Sequence, residues 1–326
     1  MKKLLRASAI VSLLVLAATV VTPPEAEADN KKTMCVFDPS GKNGDAYKQA
    51  VKYETAAAAW GVDFELKAYT DEKVAAGDFQ NGQCDAALIT GVRTQKFSKA
   101  AYSVEALGLF TSYDALGQAI NVLKKDQAVQ LMRDGQYEVA GIFPAGAVYL
   151  YLADRNITSV NDLAGKKIAT ISFDDAALTM VQKVGAVAKP ADIGTFASMF
   201  NNGSVDVCYA PATAYEPLEL YRGLQDGGGV VNFPITQLTL QILIRHEEFP
   251  EGFGQKSRTW AADQYPGMLS VVRKGEASVA KEHWVELPEG DKAGYQALLQ
   301  SVRDELVTKG QYDPTMIALG EQLTGQ

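Results

Sequence analysis

One short pattern in this chain occurs twice. The stretches "DFQNGQCDAALITGVR" (Asp78 to Arg93) and "MFNNGSVDVCYAPATAY" (Met199 to Tyr215) each run through Phe, Asn-Gly and Asp into a compact apolar stretch, about 120 residues apart. Asn-Gly is a pair that accepts a left-handed turn, so each stretch reads as a helix end, a turn and the start of a buried strand. Repetition of that step implies two successive α/β units. The alternative is that Asn-Gly followed by Asp is simply a common way into a strand.

The flanking sequence favours two units. "TMCVFDP" (Thr33 to Pro39) is an apolar run ending in a turn, and Ala46, Ala50, Tyr53, Ala57 and Trp60 then fall on one helical face before "VDFELKAYT" alternates as a strand. Strand, helix and strand open a parallel α/β layer. After "YEVAGIFPAGAVYLYLAD", where the chain crosses into its second unit, "NITSVNDLAGKKIATIS" and "FDDAALTMVQKVGA" supply a further strand and a helix with Asp174 and Asp175 at its start. The alternating run Ile235 to Arg245 crosses back. The remainder of the chain is mostly helical, with Leu298, Leu299, Val302 and Leu306 on one apolar face. The organisation expected is a leader over residues 1–28, α/β domain I over 29–142 and α/β domain II over 143–240. A hinge-crossing return with C-terminal helices, packing on both domains, fills 241–326.

The leader is read from "MKKLLRASAIVSLLVLAATVV", a basic start and an apolar run, with Ala26-Glu27-Ala28 as a signal peptidase site. Cleavage after Ala28 leaves 298 residues and implies export. A formal net charge of −8 for the precursor, with its basic residues scattered, argues against a nucleic-acid partner. Of three cysteines, Cys35 and Cys84 fall on strands expected to be neighbours, and a disulfide joins them if an exported chain oxidises; the alternative is two separate buried thiols. Cys208 is expected to be a buried free thiol, with pairing to either other cysteine as the alternative. With no CxxC and two His, no metal site is expected, and no cofactor. GxSxG, HExxH and GxGxxG are absent, and neither His246 nor His283 lies beside an obvious nucleophile, so an enzyme is not expected.

In open α/β sheets, ligands lie beyond the C-terminal ends of strands. Those ends offer Asp38, Thr90, Gly91, Arg93, Asp174, Pro211 and Tyr215, and two facing units would bring them into one cleft. Arg93 has the planar fork that suits a carboxylate. Thr90 offers a donor to a ligand oxygen, Asp38 and Asp174 a place for a cation, and Tyr209, Tyr215 and Trp260 an aromatic wall. Each also has a plain structural reading, as strand end, helix cap or core aromatic.

The pieces "CVFDPSGKNGD", "DFQNGQCDAALITGVR", "ALGLF", "NDLAGKKIA", "GSVDVCYAPATAYEPLEL" and "HWVELPEGDKAGYQALLQSVRDELVTKGQYD" resemble a family of periplasmic solute-binding proteins, some of which carry an efflux-pump accessory label. That family is similar to the binding proteins of tripartite ATP-independent periplasmic (TRAP) transporters. The resemblance implies a two-domain clamshell with a long strand shared across the hinge. It also implies a periplasmic receptor that passes a small polar solute, an organic anion among the candidates, to a membrane transporter. An accessory or adaptor protein of an efflux or envelope complex is the alternative. One departure stands out: where TRAP receptors typically carry an Arg that clamps the ligand carboxylate, "LAGKKIATIS" has Ala169.

Overall fold

In the computed structural model, residues 30–225 and 227–326 are described; the leader expected over residues 1–28 and its cleavage after Ala28 lie outside them. The first unit runs β1 (Lys31–Phe37), α1 (Asp45–Ala58), β2 (Asp63–Tyr69), α2 (Glu72–Gln80) and β3 (Ala86–Thr90). Ala46, Ala50, Tyr53 and Ala57 of α1 are buried, as their spacing predicts. Short helices α3 (Lys99–Tyr102), α4 (Tyr113–Leu123) and α5 (Val129–Met132) and the two-residue β4 (Arg133–Asp134) lead into β5 (Tyr137–Leu152), which is 16 residues long. The second unit repeats the first as β6 (Lys167–Ile171), α6 (Asp175–Lys183), β7 (Val187–Ala191), α7 (Phe196–Asn201) and β8 (Val207–Pro211). The chain continues through β9 (Gly229–Val231), β10 (Thr236–Arg245), α8 (Phe253–Asp263), α9 (Tyr265–Ser278), β11 (Trp284–Val285), α10 (Glu289–Thr308) and α11 (Pro314–Thr324).

One continuous sheet carries both units in the order β2-β1-β3-β10-β5-β8-β6-β7. Within each unit the strands are parallel and the middle strand is the first in sequence, flanked by β2 and β3 in one and by β7 and β8 in the other. The antiparallel pair β5 and β10 stands between them. Tyr137 to Val148 of β5 pair with β10, and Val148 to Leu152 pair with β8, so one strand belongs to both halves. This is the two-domain clamshell with a shared hinge strand.

The repeated pattern has the same geometry in both places. Gly82 and Gly203 sit at φ of 76° and 74°, in the left-handed region that glycine enters without strain. Each follows a buried phenylalanine, Phe79 or Phe200, whose carbonyl accepts the glycine N–H. The aspartates explain why the pattern includes them. Asp85 gives its N–H to the Thr33 carbonyl while its carboxylate accepts the Thr33 N–H at 2.6 Å. Asp206 does the same with Lys167, at 2.8 Å and 2.7 Å. Each aspartate thus closes both free backbone groups where the middle strand of its unit begins.

Cys35 on β1 and Cys84 just before β3 form a disulfide across the neighbouring strands, with Cα atoms 5.8 Å apart, and Cys208 is a buried free thiol. Among the described residues, no helix is long and apolar enough to cross a membrane. Leu299, Val302 and Leu306 turn one face of α10 inward, with Leu298 half-buried beside them.

Candidate functional site

The C-terminal ends of β1, β3, β6 and β8 converge on a cavity of about 430 Å³. Four of the residues expected at a site line it, one from each strand end: Asp38, Thr90, Asp174 and Pro211. The back wall comes from the hinge pair, with Pro144 and Val148 of β5 and Leu238 and Leu240 of β10. Met268, Val271 and Val272 of α9 close one side, and Phe37, Phe173, Met180, Ile193 and Phe196 complete the apolar surface.

Three aspartates line it: Asp45, exposed and paired with Lys48 at 3.4 Å, and Asp38 and Asp174, both hydrogen-bonded within the protein. Asp38 accepts from the N–H groups of Ser40 (2.8 Å), Ala46 (2.9 Å) and Tyr47 (3.2 Å), and so covers the open amides at the start of α1. Its carboxylate lies so close to Gly44 that a Cβ there would overlap it. Asp174 caps α6 by accepting the Ala177 N–H at 2.9 Å, and its other oxygen accepts the Tyr209 hydroxyl at 3.2 Å. Burial raises its pKa to about 6, against the lowering effect of those two bonds. Thr90 gives its N–H to Glu72 at 2.6 Å.

Arg93, expected to meet the solute, is placed elsewhere. Its Nε lies 3.5 Å from the Glu72 carboxylate, and its guanidinium stacks 3.2 Å from the centre of the Phe173 ring. Glu72 is buried, and a buried carboxylate recruits the nearest cation because an unpaired one is costly. Phe173 lines the cavity and Arg93 does not. Gly91 is likewise off the wall: the Glu105 carboxyl group packs where a Cβ would be. Tyr215 hydrogen-bonds His283 Nδ1 at 2.8 Å, and Trp260 packs against Tyr53 and Phe143, so both serve the core. Tyr209, by contrast, does line the cavity.

Two features are not legible in the sequence. Glu105 is buried, and its Oε1 accepts both the N–H and the hydroxyl of Thr239 at 2.6 Å, pinning the segment after α3 to β10. Burial pushes its pKa up to about 8, partly offset by those bonds. Asp175 accepts Gln95 Nε2 at 2.9 Å and Gln311 Nε2 at 2.7 Å, tying α6 of the second unit to the loop after β3 and to the turn before α11. The Arg93–Phe173 stack joins the same loop to the residue just before α6, so two contacts link the lips of the cleft. No single residue announces either the Glu105 anchor or the Asp175 tie, since their partners lie 134, 80 and 136 positions away. Among the described residues, no group of His, Cys, Asp and Glu could hold a metal ion. The chemistry here is enclosure and hydrogen bonding.

Comparison with known proteins accords with this geometry. Residues 54–326 match the family model described as Solute-binding protein AdeT 1/2. The Acinetobacter baumannii protein "Probable solute-binding protein AdeT1" is 39% identical over 282 residues, covering 86% of this chain and 93% of that protein; "Probable solute-binding protein AdeT2" of the same organism is 22% identical over 221 residues, 68% of this chain and 93% of its own length. Among solved structures, a TRAP periplasmic solute binding protein from Desulfovibrio salexigens with bound orotic acid superposes with a TM-score of 0.73 at 13% identity, covering 90% of this chain and 98% of that one. One from Chromohalobacter salexigens with bound D-glucuronate gives 0.69 at 20% identity, with the same coverage. Fold and sequence agree: the chain has the TRAP-type clamshell fold and belongs to the Solute-binding protein AdeT 1/2 family.

Proposed function

We propose that this protein captures a small solute in the cleft between its two α/β units and delivers it to a membrane transporter. The observation that carries this reading is the cavity itself: four strand ends, two from each unit, surround one cavity backed by the shared hinge strands. Domains over 29–142 and 143–240, with 241–326 returning across the hinge, fit a mechanism of hinge closure. A ligand that touches both units favours the closed form by as much as it prefers that form. The Arg93–Phe173 stack and the Asp175 tie would be made on closure and broken on release. Arg93 would then act on closure rather than on the solute.

An accessory protein without a transported ligand would be expected to show a poor cleft and a continuous exposed apolar patch. The large exposed apolar side chains among the described residues are Val51, Val74, Leu178 and Val187, on four different elements. The cleft, meanwhile, is well formed. Both observations favour the receptor. The test is native mass spectrometry of protein purified from periplasm without refolding, followed by denaturation to release what is bound. A stoichiometric small molecule supports the receptor reading. An empty protein whose melting temperature no metabolite pool raises refutes it.

A further inference from the structure

The polar groups of the cavity are unevenly supplied. An α/β cleft ordinarily binds an anion at helix N-termini and with Arg or Lys. Here Asp38 occupies the amides at the start of α1, and Asp174 caps α6. The chain's own carboxylates stand where a ligand carboxylate would go.

Several side-chain donors are committed as well, while the neutral groups of Ser40, Asn43 and Thr90 are left for a ligand. The Tyr209 hydroxyl donates to Asp174, Thr213 donates to the Ala145 carbonyl at 3.1 Å, and Thr236 donates to the Glu105 carbonyl at 2.5 Å. Lys48 is the cation among the lining residues; it is exposed and paired with Asp45 at 3.4 Å, at the edge of the site. Arg93 is held by Glu72 and Phe173. The charged acceptor capacity that remains is on Asp174, whose two oxygens accept two hydrogen bonds and have room for more. The surroundings are apolar. A carboxylate buried beside Asp174 would meet a like charge, with the lining cation Lys48 already paired to Asp45 at the edge, an arrangement that costs several kcal/mol by general estimates.

We propose that the solute is an apolar organic amine, its hydrocarbon or aromatic body against the Phe173, Phe196 and Leu238 walls and its ammonium group donating to Asp174. This rests on the receptor reading and narrows its substrate class; a polar organic anion, one of the expectations from sequence, is what it excludes.

Three probes with one apolar body separate the possibilities. 4-Phenylbutylamine, 4-phenylbutanol and 4-phenylbutyrate are titrated into the mature protein by calorimetry. The amine should bind at least tenfold more tightly than the carboxylate, with the alcohol between. In Asp174→Asn, which keeps a good helix cap, the amine should lose at least tenfold in affinity and the alcohol much less, so that the two bind alike. Asp174→Ser, another capping residue, should repeat the result if the asparagine variant folds poorly. Carboxylate binding equal to or tighter than the amine overturns the proposal, as does an amine that binds no better than the alcohol in the wild type or that is unaffected by both variants. If none of the three binds but native mass spectrometry finds a polar metabolite, the amine proposal fails and the receptor reading stands. An empty protein that responds to no metabolite sinks both.

Discussion

Replacing Glu105 with glutamine should remove much of the pH dependence of this protein's stability between pH 5 and 8. The carboxyl group is buried behind the cleft, and Thr239 is its hydrogen-bond partner through Oε1 while Oε2 has none. Burial holds its pKa at about 8, against an ordinary value of 4.5. In the unfolded chain the proton leaves near 4.5, whereas in the folded protein it stays until about 8. Between those values the folded state binds more protons, so stability is fully present below pH 4.5 and is lost as pH rises towards 8. Each unit of pH in that window costs about 1.4 kcal/mol, so roughly 3 kcal/mol is lost by pH 7. Burial raises the pKa values of Glu72 and Asp174 too, and they tilt the curve the same way, but both remain in the variant. The difference between the two proteins therefore isolates Glu105. Urea unfolding of wild type and Glu105→Gln at half-unit intervals from pH 5 to 8 gives that difference directly. Whatever constant offset the amide introduces, the wild-type curve should descend relative to the variant. Parallel curves would refute a protonated, buried Glu105.

Other contacts lead to three more expected outcomes. Replacing Cys35 and Cys84 together with serine frees a loop with a sequence separation of 49 and should lower stability by about 4 kcal/mol on the chain-entropy relation, read from the urea midpoint. Glu138→Ala leaves Arg258, itself 4% exposed and paired with Glu138, buried without its partner, and should cost about 3–5 kcal/mol; a loss under about 1 kcal/mol, the worth of a surface pair, would mean that Arg258 escapes to water. Asp175→Ala removes the tie to Gln95 and Gln311. It should enlarge the radius of gyration seen by small-angle scattering and weaken binding of any cleft ligand by about tenfold, the worth of one to two such hydrogen bonds; unchanged scattering and affinity would show that closure does not use it.

Which parts are legible in advance has a local explanation. The Asn-Gly turns, the apolar face of α1 and the strand read from the alternating run Ile235 to Arg245 depend on neighbours within a few positions; the structure carries the turns and the face as read, and the strand over Thr236–Arg245, where burial alternates only as far as Gln241. Asp38 and Asp174 are legible because a residue after a strand and before a helix must end near the mouth of an α/β layer. Arg93 lies in the loop expected of it, but its direction is not local. The buried Glu72, 21 positions earlier, and Phe173, 80 positions later, decide where the guanidinium points. Gly91 offers the same kind of ambiguity, resolved by the Glu105 carboxyl group that needs its space. Tyr215 and Trp260 are aromatics that fit either a pocket or a core, and packing puts them in the core.

The sequence by itself determined two successive α/β units, their order and the strands that cross between them, because turn chemistry and periodicity act over short spans of chain; the edge strand β7 (Val187–Ala191) was not among what it showed. Only the tertiary structure decided which strand-end side chains line the cavity and which are drawn into contacts beside it. That choice depends on buried polar groups finding partners such as Thr239, which lies 134 positions from Glu105, and the free energy of burying a polar group is set by what surrounds it in space.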